Sequence, residues 1–182
     1  MAGRKGEDYT QSNRSTQYTV IDVETTGLAA HRGDRVIEVG ALLLDDSGII
    51  SEFHSLIYVK KPISIEAQLV HGIGKEMLKN QPKAAEVFPK LKKFIGDALL
   101  VAHNAKFDLG FLSCEFSRLR LDLKNPYVCT LELSRAHFPR LRNHKLETVY
   151  RHVSGKRLAG QTHRALDDAR MVAEIWREMR EK

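Results

Sequence analysis

One strand constrains this chain more than any other segment: Tyr18-Thr19-Val20-Ile21-Asp22-Val23-Glu24. β-Branched and aromatic residues dominate it. Thr25-Thr26-Gly27 then breaks it. Side chains two apart on a strand share a face, about 6.5 Å apart along it. Asp22 and Glu24 therefore stand side by side, while Ile21 and Val23 turn to the opposite face. Neighbouring carboxylates repel unless a cation lies between them. The pair also sits at a strand end, where α/β proteins usually place their sites. An edge strand with one polar face would carry the same pattern, so the pair alone does not decide.

At 182 residues the chain reads as one domain. Apolar residues make up 42% and charged residues 29%, which excludes disordered, collagenous and disulfide-scaffold classes. No apolar run approaches a membrane span, and the N-terminus has no apolar stretch of the signal-peptide kind. Cys114 and Cys129 form no CxxC pair, arguing against a zinc ribbon and for a reducing, cytoplasmic setting. With 29 basic against 23 acidic residues the net charge is +6, which suits a polyanionic partner as well as a merely solvated surface.

Residues 1–17 are polar and read as a disordered leader, leaving 18–182 as the domain. Further strands are expected at Val36–Leu44, Ile49–Val59, Leu99–Ala102 and Tyr127–Thr130. Helices are expected near 64–70 and 83–96, from Asn104 onward, and near 131–137, 145–153 and 163–180. Strands joined by short links, then strands alternating with helices, indicate an α/β domain: a mixed five-stranded sheet, antiparallel in its first three strands and parallel after them.

Two further acids fall on apolar helical faces. Asp108 lies within the arc of Phe111, Leu112, Phe116 and Leu119. A buried lone carboxylate costs several kcal/mol, so it needs a partner: a cation, an Arg or a backbone N–H. Glu115 shares that arc. In the last helix Asp167 falls on the wet face with Glu174 and Glu178, whereas Asp168 falls at the edge of the buried face. Thr162 suits the N-cap, which places His163 at the helix entrance. Asp22, Glu24, Asp108 and Asp168, aimed inward from three elements, would carry a charge near −4 that no folded site tolerates empty. Oxygen-only ligation favours two hard cations, Mg²⁺ or Mn²⁺. Two such ions clamp a phosphodiester for in-line displacement, with His163 as general base.

These residues carry a family resemblance. Val20-Ile21-Asp22-Val23-Glu24-Thr25-Thr26-Gly27 is similar to a D-x-E-T-T-G motif, Val101-Ala102-His103-Asn104-Ala105-Lys106-Phe107-Asp108 to a second, and His163-Arg164-Ala165-Leu166-Asp167-Asp168-Ala169 to H-x-A-x-x-D-A. In combination they resemble the DEDDh, DnaQ-like 3′–5′ exonucleases, including the epsilon proofreading subunit of bacterial DNA polymerase III. The resemblance implies a ribonuclease H-like fold. It implies Asp22, Glu24, Asp108 and Asp168 as ligands of two divalent cations, with Asp22 bridging both. His163 would deprotonate the water, and a 5′-mononucleotide would leave a single-stranded DNA or RNA 3′ end. It also implies that Glu66 and His71, in Glu66-Ala67-Gln68-Leu69-Val70-His71-Gly72-Ile73, contact the terminal nucleotide. Thr25, Gly27 and Leu28 would line the same pocket, and Leu28 and Phe107 would pack on its base. Phe107 could equally be core, and His71 a turn histidine.

Cys129 stands where family members often carry an aspartate outside the metal-binding set. The chain stops at Lys182, after the third motif, which argues against a polymerase-tethered role. Arg140-Leu141-Arg142-Asn143-His144-Lys145 and Lys156-Arg157 read as a backbone track or as solvated loops. Lys90-Leu91-Lys92-Lys93 reads as the wet face of a helix. The rival function is a catalytically inactive nucleic-acid-binding module on the same fold. A nucleotide-binding NTPase finds no phosphate-loop motif.

Overall fold

The computed structural model describes residues 17–156 and 163–180. The expected leader, but for Gln17, lies outside the described residues, as do Thr162, expected as an N-cap, and Arg157. The strands are β1 (Tyr18–Thr25), β2 (Val36–Asp45), β3 (Gly48–Leu56), β4 (Leu99–Ala102) and β5 (Tyr127–Cys129). They form one sheet in the order β3-β2-β1-β4-β5. β1 pairs antiparallel with β2, and β2 with β3. β4 runs parallel to β1, and β5 to β4. This is the mixed sheet expected. β1 is its central strand and is covered on both faces, which is why its apolar residues leave no exposed stripe.

Helices α1 (Ile65–His71), α2 (Lys75–Leu78), α3 (Ala84–Ile95), α4 (Ala105–Arg118), α5 (Thr130–His137), α6 (Leu146–Ser154) and α7 (Ala165–Arg180) complete the domain. Ile21 and Val23 of β1 join Phe88 and Leu91 of α3 and Phe111, Leu112 and Phe116 of α4 in the larger core. On the other face, Val20, Leu42 and Val101 meet Ala169, Val172 and Ala173 of α7. The alternation along β1 thus assigns one helical layer to each side. Asp22 and Glu24 share the α7 side with Val20.

The approach of α7 is governed by Gly40, which pairs with Asp22 across β1 and β2. A Cβ there would stand 2.3 Å from the Leu166 nitrogen and 2.4 Å from the Ala165 carbonyl carbon. The first turn of α7 therefore rests directly on strand backbone. The far end of α7 is held by an edge contact between Trp176 and Tyr18, with ring centroids 5.5 Å apart.

Several boundaries differ from expectation, among them β5, which ends at Cys129 with Thr130 opening α5, and α7, which begins at Ala165 rather than at residue 163. β3 ends at Leu56, since Tyr58 instead bridges to Lys83. β2 runs one residue further, to Asp45, whose carboxylate accepts the Ser47 N–H at 2.8 Å and closes the hairpin. α2 was not expected; its single turn is too short to show a helical period. No helix among the described residues is long and apolar enough to cross a membrane.

Candidate active site

Asp22, Glu24 and Asp168 offer carboxylate oxygens that all lie within 4.8 Å of one another. β1 supplies two, and the first turn of α7, lowered onto Gly40, supplies the third. Asp168 is buried and its neighbour Asp167 is exposed, as helical phase requires. Asp108 approaches from the first turn of α4, where its Oδ1 accepts the Val23 N–H at 3.1 Å.

Electrostatics single out the same four groups. Burial, then the nearby Asp108, Asp168 and Glu24, hold the Asp22 carboxyl well above its ordinary range. Burial, followed by Asp168, Glu38 and Asp108, pushes Glu24 up to about 9. Burial lifts Asp108 to about 8 against the pull of the Val23 N–H. Asp168 rises to about 6, again through burial, with His163 opposing. Four carboxyls pushed toward their protonated forms make a site that a positive ion would relieve. The donor set is all oxygen, so it fits a hard divalent cation such as Mg²⁺ or Mn²⁺.

Glu115, the other acid on the α4 arc, has a different fate. It accepts Arg35 Nε at 2.6 Å and Nη2 at 2.8 Å, and pairs with Arg118 at 3.1 Å. Two guanidinium groups neutralise it, whereas Asp108 leaves its charge to the site.

His163 has a side chain 39% exposed, with Nδ1 4.0 Å from Asp168 Oδ2 and Nε2 3.6 Å from Glu147 Oε1. Its φ of +69° is left-handed, which costs a residue with a Cβ about 1–2 kcal/mol. The next residue, Arg164, secures that conformation. Its guanidinium grips Glu38, directly across from Glu24, through Nη2 at 2.6 Å and Nε at 3.1 Å. Glu38 is fully buried and also takes the Ala165 N–H at 3.2 Å and His54 Nε2 at 2.7 Å. Burial raises its pKa, but the Arg164 and His54 bonds outweigh that and leave it below the ordinary range. The motifs give no role to Glu38, Arg164 or Glu147. The available signal was Glu38 as the only charge within Val36–Leu44.

Beside Glu24 opens a cleft of about 610 Å³, lined among others by Thr25, Gly27, Leu28, Glu66, His71 and Phe107. These six meet in one place, whereas His163, also expected as a substrate contact, is not among the residues lining the cleft. Gly27 is there because a Cβ would stand 2.6 Å from Asp34 Oδ2. Asp34 in turn holds the turn through the Ala29 N–H at 3.0 Å. Thr25 Oγ1 donates to the Gly27 carbonyl at 2.6 Å. The Ser64 N–H, at the N-cap of α1, donates to the Thr26 carbonyl at 2.9 Å and ties helix to turn. Leu28 is 85% exposed at the rim, and Glu66 is exposed on α1. Phe107 both lines the cleft and packs on Phe111, with centroids 4.9 Å apart.

His71 is buried and uses both ring nitrogens on backbone. Nδ1 accepts the Ile73 N–H at 2.9 Å, so Nε2 carries the proton and donates to the Thr25 carbonyl at 3.2 Å. Burial lowers its pKa, consistent with this neutral form. Its ring braces the cleft wall.

Fold and site together define a nuclease domain, with acids gathered at the end of a central strand beside a cleft. The exonuclease family model (RNase T) matches residues 19–176. A DNA polymerase III of PolC type from Caldanaerobacter subterraneus is 39% identical over 166 residues, covering 91% of this chain but only 12% of the relative's length. The solved structure of exonuclease X in complex with 5′ overhanging duplex DNA superposes with a TM-score of 0.70 at 26% identity, covering 90% of this chain and 91% of that one. The nuclease domain of 3′hExo, a DEDDh family member bound to rAMP, gives 0.74 at 18% identity, covering 93% and 94%, and shows the shared fold. The chain belongs to the DEDDh, DnaQ-like exonuclease family.

Proposed function

We propose that the chain removes nucleotides from the 3′ ends of single-stranded DNA or RNA by hydrolysis, releasing 5′-mononucleotides. The observation that carries this reading is the convergence of three carboxylates within 4.8 Å, next to a cleft and a partly exposed histidine. Asp22, Glu24, Asp108 and Asp168 would hold two divalent cations, Mg²⁺ or Mn²⁺. Once bound, these would supply charge neutralisation for the phosphate and activation of water. His163, reachable from solvent, takes the proton of the attacking water. Glu66 accepts a hydrogen bond from the terminal sugar at the cleft rim. Leu28 and Phe107 pack on the last base, a contact indifferent to sequence. His71 keeps Thr25 and the turn after it in place.

The test is release of label from a 3′-labelled oligonucleotide with Mg²⁺ or Mn²⁺, run on matched DNA and RNA. Asp22→Asn and Asp168→Asn should abolish release; persistent activity in either refutes the assignment. Binding without release by the unaltered chain would favour the inactive-module reading. Tethering to a polymerase is suggested by the PolC-type relatives, in which the match covers 12% of the longer chain. The end of this chain at Lys182 carries no weight against it.

A further inference from the structure

We infer that the loop 138–145, between α5 and α6, is a docking track for the sugar-phosphate backbone of the strand upstream of the cleaved bond. The inference rests on the nuclease reading and names a second contact for its substrate. Arg140, Arg142 and Lys145 are exposed, and among the described residues none of them has an ion-pair partner. Some surface cations are paired, Lys106 with Glu132, Lys124 with Asp122 and Lys156 with Glu174, while others such as Lys90 and Lys92 on α3 are likewise without an ion pair among the described residues.

The loop is also held in one shape. Leu141 turns inward to the cluster of Val149, Ile175 and Met179, leaving Arg140 and Arg142 on either side facing outward. The Asn143 side chain accepts the Lys145 N–H at 3.1 Å. His144 bonds Ser134 Oγ through Nδ1 at 3.0 Å, and its carbonyl meets His103 Nε2 at 2.8 Å. Burial lowers the His103 pKa, keeping that ring neutral and acting as the donor. His103 follows β4 and precedes α4, the helix of Asp108, so one hydrogen bond ties the loop to the segment that leads into the site.

The cleft lies beside the end of β1, walled by α1. The loop stands by α5 and α6, on the β4–β5 flank, beyond Glu147 and His163. A strand whose last nucleotide fills the cleft and whose scissile phosphate meets the acids must leave away from α1. That direction carries it over unpaired cations on a fixed loop, which is what a polyanionic backbone requires.

The test compares the unaltered chain with an Arg140→Ala, Arg142→Ala, Lys145→Ala triple variant, after equal melting temperatures confirm folding. Affinity for single-stranded oligo-dT of roughly a dozen nucleotides is measured between about 50 and 200 mM salt, in an Asp168→Asn background that blocks turnover. In parallel, kcat/KM is measured on that oligomer and on a dinucleotide, which has no upstream backbone. The expected result is a salt slope lower by about 2 and a Kd raised roughly tenfold at low salt. kcat/KM on the oligomer should fall by a similar factor and stay unchanged on the dinucleotide. An unchanged slope and unchanged oligomer cleavage would overturn the track, and so would equal losses on both substrates. If the unaltered chain cleaves neither substrate yet the slope still falls, the track stands and the hydrolytic reading fails. If it neither cleaves nor binds, both fail.

Discussion

Glu38 and Arg164 are locked together across the sheet face, guanidinium to carboxylate at 2.6 and 3.1 Å, one residue beyond His163 and directly across from Glu24. The pair joins the start of β2 to the entrance of α7. It thereby holds a left-handed His163 against the acids. Arg164 is partly exposed and Glu38 would keep His54 and the Ala165 N–H, so removing Arg164 costs about 1.5–3 kcal/mol, the worth of hydrogen bonds to a buried charge. Arg164→Ala should lower unfolding free energy by that order in urea titrations. Glu38→Gln keeps the shape and should lose less stability, yet kcat should fall while KM moves little, since α7 carries Asp168 and the residues leading into it carry His163. A variant that melts early but retains kcat would show the pair to be structural only.

Gly40→Ala tests the backbone contact beneath α7. The added methyl would meet the Leu166 nitrogen at 2.3 Å, and main chain cannot swing aside. Overpacking of this kind costs about 1–3 kcal/mol. A displacement of about 1 Å at catalytic groups lowers rates by about 10²-fold. Gly110→Ala is the control: nothing lies within 4 Å of its Cβ position on α4. There alanine should be neutral or stabilise by up to about 1 kcal/mol. Denaturant unfolding and single-turnover rates on both proteins decide it.

Stability without metal should fall as pH rises. In the fold Asp108 titrates at about 8 and Glu24 at about 9, against ordinary values of 3.8 and 4.5. A raised folded pKa means that the folded chain binds more protons than the unfolded one across that window. The stabilisation is complete below about pH 4 and is lost as pH climbs toward 9. Melting temperature in EDTA should therefore decline from pH 5 to 9 as far as these groups dominate. Mg²⁺ or Mn²⁺ should raise it most at the alkaline end and release protons on binding. A metal-induced rise that is equal at both ends of the range would contradict the coupling.

His163→Ala should lower kcat by about 10²-fold or more between pH 6 and 9. The acids compete with protons for metal as well, so an acid limb alone does not identify the histidine. Metal concentration separates the two causes. A limb set by carboxyl protonation moves to lower pH as Mn²⁺ is raised and persists in the His163→Ala variant. A pH–rate series at several metal concentrations, with and without the substitution, distinguishes them.

The sequence was legible where one residue type sat out of phase with its surroundings. Asp22 and Glu24 on a β-rich strand, Asp108 on an apolar arc and Asp168 beside its exposed neighbour Asp167 all stood out this way. Asp108 and Glu115 were indistinguishable by phase, because what separates them is Arg35, distant in sequence and brought to Glu115 by the fold. Glu38 went unread for a similar reason: its partner Arg164 lies 126 residues away. His71 could not be read as a brace until its two backbone partners were placed. Strand and helix types were recovered along the chain. Boundaries moved where side chains closed a turn, as at Asp45, and the four-residue α2 was too brief to leave a periodic trace.

Because the first turn of α7 meets β2 through main chain at Gly40, directly across from Asp22, no side chain stands between strand and helix at that point. Their spacing is a property of the polypeptide itself, insulated from substitutions at Leu28, Glu66 or Phe107. The rim of the cleft can thus vary in side chain while the acid cluster behind it keeps its dimensions.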